Sequence, residues 1–187
     1  MRKINDTLIL IIGILLFLVS YKFDQQINLF FKATRIPFLD IILSIITNFG
    51  VVVVIMLFVP LILLYKKNKK LVYLLLLTFI VSFVLAFIIK LAVLRQRPTE
   101  AFTYPFTHII NYSFPSMHAM VAFSLLPTLI KFLPKYKLFW ILFVFLVAFS
   151  RLYFGVHFLS DVVFGALFGY FVGDYLLELY EKGKLWK

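Results

Sequence analysis

Three short stretches of the sequence carry side chains that could do chemistry together: Lys90-Leu91-Ala92-Val93-Leu94-Arg95-Gln96-Arg97-Pro98, Pro115-Ser116-Met117-His118 and Ser150-Arg151-Leu152-Tyr153-Phe154-Gly155-Val156-His157-Phe158-Leu159-Ser160-Asp161. Each lies at the end of an apolar segment, where an ionisable group is costly and by default functional. Lysines and arginines grip phosphate oxygens, lysine as a point charge and arginine as a planar fork. Histidines can attack phosphorus or hand a proton to a leaving oxygen. Such a set suits holding a phosphate and breaking its ester bond.

Lys90 and Arg97 are seven residues apart, so on a continuous helix they fall about 20° apart on one face. On that reading both can point at one anion, and Pro98 ends the helix. Ser82 and Ala86 precede Lys90 on the same face, a small-residue stripe that turns Lys90 into the bundle. Arg95 reads instead as a headgroup contact, reached by snorkelling. Pro115-Ser116-Met117-His118 reads as a helix start, where free backbone N–H groups attract anions. Ser116 could add a hydroxyl donor, and His118 titrates near neutrality. Taken alone, the same two residues read better as a helix cap and an interfacial histidine. His157 and Asp161 are four apart, one helical turn. The carboxylate could fix the imidazole tautomer and leave the other nitrogen free to attack. In isolation that pair is as readily a structural ion pair. Gly165, Gly169 and Gly173 continue the spacing and predict close packing against a neighbouring helix. His108 has no partner at useful spacing and reads as a loop residue. No aspartate or glutamate cluster resembles a Mg²⁺ or Zn²⁺ site. No metal or cofactor is therefore expected, and the chemistry should rest on cations and histidines.

The elements that must position these residues are apolar throughout. Of 187 residues, 64% are hydrophobic and 14% charged, with a mean hydropathy of +1.05. Runs of roughly 20 such residues cross a bilayer. The net charge is +11, but the basic residues are scattered between apolar runs, so no nucleic-acid partner is implied. With no cysteine, disulfides, zinc–thiolate sites and thiol nucleophiles are excluded. Six apolar segments can be drawn, at about 5–22, 38–65, 71–94, 115–133, 137–156 and 160–180. The expected fold is all-α, a polytopic bundle of six transmembrane helices forming one domain over residues 1–187, with its motif core at about 90–161. Arg2 and Lys3 before the first segment suggest a signal peptide, but no small-residue cleavage pattern follows, which favours an uncleaved helix. Residues 23–37 are mixed and could form a short helix lying in the interface.

Basic residues also suggest an orientation. If both termini are cytoplasmic and the segments alternate, 12 of the 19 basic residues fall on the cytoplasmic side, as the positive-inside rule favours. The chain is then a multi-pass cell-membrane protein with all three reactive stretches converging on the non-cytoplasmic face.

These motifs resemble those of the type 2 phosphatidic acid phosphatase family, whose pattern runs K-x6-R-P, then P-S-G-H, then S-R-x5-H-x3-D. The first and third match without departure. The second carries Met117 where the family has glycine, a side chain that could crowd the phosphate or shape the pocket. The resemblance implies roles by position: His157 as the nucleophile that forms a phosphohistidine, Asp161 as its orienting carboxylate, and His118 as general acid. Lys90, Arg97, Arg151 and Ser116 would hold the phosphoryl oxygens. It also implies a reaction that needs no divalent metal. The family includes soluble vanadate-dependent haloperoxidases, a branch that the apolar spans disfavour.

The expected function is thus a membrane lipid phosphate or diphosphate phosphatase, working on a substrate drawn from the phospholipid bilayer at its outer face. Candidate substrates are undecaprenyl diphosphate, phosphatidylglycerophosphate, phosphatidic acid and a phosphorylated lipid A. The alternative is a non-catalytic membrane protein that binds or moves phospholipids through the same basic cleft. Two histidines and Asp161 are more than binding alone requires.

Overall fold

A computed structural model describes residues 2–98 and 111–186; His108 lies outside the described residues. Every regular element among the described residues is helical: α1 (Arg2–Ala33), α2 (Pro37–Ile46), α3 (Phe49–Val53), α4 (Val59–Tyr65), α5 (Lys69–Val93), α6 (Met117–Phe132), α7 (Lys137–Tyr153) and α8 (Leu159–Glu181). The expected all-α membrane bundle is what the chain forms. Four helices, α1, α5, α7 and α8, are long and apolar enough to cross a membrane. The segment read as 38–65 is broken: α2 and the helix from Phe49 to Tyr65 meet at a 53° bend, and counted as one broken span the pair brings the number to five. α6 supplies the sixth segment.

Local sequence explains the breaks. Asn48 stops α2 from continuing, because its side chain accepts from the Gly50 N–H at 2.9 Å and so starts α3. Between α3 and α4 the helix widens into a π turn at Val54–Phe58. Pro60 follows after Val59; it lacks an N–H and its ring would clash with the carbonyl four residues back, and a wider turn relieves both. Asn68 caps α5 in the same way, accepting from the Lys70 N–H at 2.9 Å.

Residues 23–33 correct the sequence reading. They do not form a separate interfacial helix but continue α1 without a break to Ala33. The reason is a polar anchor: Asp24 is buried and hydrogen-bonded to the start of α8, so the mixed stretch is held upright against the bundle.

α6 is the centre of the fold. All of Ala119 to Leu129 is buried, whereas α1, α4 and α7 present Leu15, Ile62 and Leu138 outward. A helix so enclosed meets protein on every side, which suits its 16 residues. The expected glycine face of α8 packs directly on it. A Cβ at Gly169 would lie 2.1 Å from the Met120 carbonyl oxygen, and one at Gly173 1.8 Å from that of Ser124. Both obstacles are backbone, which cannot turn aside. Gly173→Ala is therefore expected to cost about 3 kcal/mol, the upper end of overpacking penalties, read as a lowered Tm in detergent. On α5, Thr78, Ser82, Ala86 and Lys90 are all buried, so the predicted small-residue stripe does face the bundle.

Candidate active site

The end of α5, the start of α6, the end of α7 and the turn before α8 meet at one end of the bundle. They enclose a cavity of about 600 Å³ lined by Lys90, Arg97, His118, Arg151 and His157, with Phe49, Phe83, Met117 and Phe154 among its apolar walls. Five of the seven predicted site residues thus face a single space. Asp161 stands behind His157, and Ser116 is buried nearby without lining the cavity.

Lys90 occupies the last turn of α5 and is 1% exposed. Its Nζ donates to the Tyr112 carbonyl at 2.5 Å. Arg97 reaches the cavity by a different route from the one its spacing predicts. α5 ends at Val93, four residues early, because Leu94 adopts a left-handed conformation with φ 51°. Residues 95–97 run on as irregular chain, so Lys90 and Arg97 do not share a helix face and Pro98 does not end the helix. The tight turn at Leu94 brings Arg97 back to the site. There its Nε donates to the Asn111 carbonyl at 2.9 Å and its Nη1 to the Val156 carbonyl at 2.7 Å. That Nη1 is 3.5 Å from His157 Nε2. Arg151, in the last turn of α7, is buried, and its Nη1 donates to both the carbonyl and the hydroxyl of Thr47.

The helix start at Ser116 is as predicted, with α6 beginning at Met117. The Ser116 side chain makes no cap bond, and its Oγ is buried without a partner among the described residues. Its N–H donates to the Asp161 carbonyl at 3.1 Å, which ties α6 to α8. His118, in the first turn of α6, hydrogen-bonds the Thr47 backbone and lies edge-on to Phe49, with ring centroids 4.9 Å apart. Its Nε2 has no partner among the described residues, so one nitrogen is held and the other is available.

His157 precedes α8 rather than sharing its first turn with Asp161. The pairing survives because Asp161 reaches back: one carboxylate oxygen accepts from the Phe158 N–H at 2.9 Å and lies 3.5 Å from His157 Nδ1. An acid at this helix position commonly turns back to the cap residue in this manner. Nε2 is thereby left toward Arg97 and the cavity. Burial, with Arg97, Arg151 and Lys90 around the ring, holds the proton affinity of His157 well below the ordinary histidine range. The ring is therefore neutral at neutral pH, the form that carries a nucleophilic lone pair.

Arg95 corrects another expectation. It does not reach for headgroups. Its Nη1 donates to Asp161 at 2.8 Å and to the Ser160 hydroxyl at 2.7 Å, and its Nη2 pairs with Asp24 at 2.7 Å. The guanidinium stacks over the Phe158 ring at 4.1 Å. Sequence reasoning also passed over Thr47, which holds His118 and Arg151 from the break in the second span, and Asp24. Asp24 sits in the mixed stretch after the first apolar run, where a charge gives no such signal.

Known proteins resemble this chain in sequence and in fold. Residues 70–183 match the model of the PAP2 superfamily. An undecaprenyl-diphosphatase of Sulfolobus acidocaldarius is 31% identical over 135 residues, which is 68% of this chain and 64% of the relative. The match thus spans just under two thirds of that relative's length. The crystal structure of a transmembrane PAP2-type phosphatidylglycerolphosphate phosphatase from Bacillus subtilis superposes with a TM-score of 0.73, covering 97% of this chain and 98% of that one at 23% identity. At that identity the likeness speaks to the fold. Aquifex aeolicus LpxE gives a TM-score of 0.68 at 28% identity, over 83% of this chain and 94% of that one. The family match covers all three reactive stretches, and the full-length superposition extends to the six-segment bundle that holds them. By motif, by sequence and by fold, the chain belongs to the PAP2 superfamily.

Proposed function

We propose that this protein is a lipid phosphate or diphosphate phosphatase that works without a divalent metal through a phosphohistidine on His157. The observation that carries the proposal is the convergence of two histidines and three cations on one cavity, with a carboxylate behind the inner histidine.

The substrate phosphate sits among Lys90, Arg97 and Arg151, which neutralise its oxygens. Ser116 Oγ would have to turn toward the cavity to join them. His157 Nε2 attacks phosphorus as the bond to the lipid oxygen breaks, and His118, which enters the step protonated beside the bound phosphate's negative charge, gives that oxygen its proton. The phosphorylated ring keeps its Nδ1 proton and is positive, so the Asp161 carboxylate at 3.5 Å stabilises it. His118, now neutral, takes a proton from water as that water attacks phosphorus. The P–N bond breaks and inorganic phosphate leaves, with His157 restored. Removing charge from the phosphate before attack is the cations' task, and their positions are fixed in advance by carbonyls on neighbouring segments.

The named relatives point to the substrate class. Undecaprenyl diphosphate and phosphatidylglycerophosphate are the first to test, followed by phosphatidic acid and phosphorylated lipid A. Met117 on the cavity wall bears on the choice among them. Purified protein in detergent with EDTA should release phosphate from at least one member of this panel. Binding without release would favour the non-catalytic alternative.

The site opens on the non-cytoplasmic side in this reading, with both termini cytoplasmic. Lys67 and Thr34 are both exposed and lie on the two sides of the second span. The native chain has no cysteine, so labelling is clean. Lys67→Cys should be shielded from an impermeant thiol reagent in intact cells, and Thr34→Cys should be labelled. The reverse pattern would invert the topology.

A further inference from the structure

We propose that Asp24 is a positioning residue for this reaction, acting through Arg95 on the carboxylate behind His157. The proposal rests on the phosphatase reading above, and it assigns a part to α1, which lies outside the residues matched to the family.

α1 presents one narrow face to the bundle. Gly13, Phe17, Ser20 and Asp24 recur at helical spacing. Gly13 is close enough to α8 that a Cβ would meet Leu167 at 2.8 Å, and Phe17 meets Phe164 edge-on with centroids 6.0 Å apart. This antiparallel register sets Asp24 opposite Ser160. There its carboxylate accepts from the Ser160 N–H at 2.9 Å and from the Ser160 hydroxyl at 2.5 Å. A first-turn N–H has no partner within its own helix, so Asp24 fixes the start of α8 from outside.

The same carboxylate holds Arg95, and Arg95 holds Asp161. Asp161 then has one oxygen fixed by the guanidinium, while the other faces Phe158 N–H and His157 Nδ1. Charge matters as much as geometry. Two carboxylates, each at most 4% exposed, share one guanidinium. The surplus negative charge is matched when the His157 ring turns positive on phosphorylation. A merely structural clamp needs no surplus; an uncharged partner for Arg95 would hold α1 in place as well.

The test compares Asp24→Asn with wild type in detergent. It reads kcat on a lipid phosphate, the Ki of inorganic phosphate as a probe of the cradle, and Tm to establish folding. The amide keeps shape and removes the charge. kcat should fall about tenfold, by analogy with the loss of a carboxylate behind a metal-bound histidine, while Ki stays within about twofold. Asp24→Glu retains the charge and should recover a substantial part of kcat. Should Asp24→Asn fail to fold, Arg95→Lys keeps the charge but cannot span both carboxylates as a fork, and should lower kcat about tenfold at unchanged Ki. A folded Asp24→Asn with wild-type kcat overturns the proposal, as does a loss shared equally by kcat and Ki. A folded Arg95→Lys with wild-type kcat also overturns it. Wild type must turn over and His157→Ala must not. Failure there takes down the phosphatase reading and this proposal with it, whereas normal turnover in folded Asp24→Asn removes the positioning role alone.

Discussion

Replacing His157 by alanine is expected to abolish phosphate release, a loss on the order of 10⁴- to 10⁶-fold, because residues that act as a catalytic unit fail together. The ring sits in the turn before α8, outside the helix-to-helix contacts of the core, and its Nδ1 makes no close hydrogen bond among the described residues. The variant should therefore fold. Its detergent-solubilised form should keep the wild-type elution profile and bind inorganic phosphate with nearly unchanged affinity, since the three cations remain. Asp161→Asn should lie between the two. It preserves shape but withdraws the negative charge that steadies the phosphorylated ring, and it also weakens the Arg95 pairing. A His157→Ala protein with a near-normal rate would remove the nucleophile from the account.

The second large effect concerns the cradle. Loss of either cavity-lining arginine should lower the rate on the order of 100-fold, the typical effect of deleting one donor that meets charge developing in the transition state. The two should differ in pH dependence. Arg97 is 3.5 Å from His157 Nε2 and, after burial itself, is the foremost charge holding that ring's proton affinity down. A lowered proton affinity keeps the nucleophile neutral, and kcat/KM intact, until the pH falls well below the ordinary histidine range. Arg97→Gln removes a positive charge, so the ring protonates more readily. The acid limb of kcat/KM should move to higher pH. Arg97→Lys retains charge but loses the fork and should still be clearly impaired. Orthovanadate, a mimic of five-coordinate phosphorus, should inhibit wild type and inhibit Arg151→Ala more weakly. An unmoved acid limb in Arg97→Gln would contradict the geometry assigned to that side chain.

Short-range patterns were read well from sequence. The helix start at Ser116, the inward stripe leading to Lys90 and the glycine face of α8 all follow from spacing that one helix imposes on its neighbours. So does the meeting of the reactive stretches at one end of the bundle, because alternating spans of similar length leave little choice. What failed was continuity. Nothing in Lys90–Arg97 shows that Leu94 turns left-handed; the seven-residue spacing fits a helix equally well, and what favours the break is tertiary: Arg97 with Asn111 and Val156, and Arg95 with Asp24 and Asp161. Arg95 looked like a headgroup contact because its partners are remote, 71 residues away at Asp24 and 66 at Asp161. Asp24 was hidden for the matching reason: a mixed stretch reads as interfacial when the residue that justifies its one buried charge lies on another helix. Thr47 carries no chemical signal at all. Its carbonyl at a helix break could come from any residue type, whereas the hydroxyl that also accepts from Arg151 could not.

The central claim is that a phosphoryl group passes through His157, and trapping that species is its most direct measurement. Purified protein should be mixed with a lipid phosphate labelled in its terminal phosphate, quenched within milliseconds in alkali, and digested for mapping. The account predicts a protein-bound phosphate that survives alkali and is lost in mild acid, as a phosphohistidine is. It should map to residue 157, form with EDTA present and be absent from His157→Ala. Turnover in the wild type with the label on another residue, or turnover that persists in His157→Ala, would contradict it.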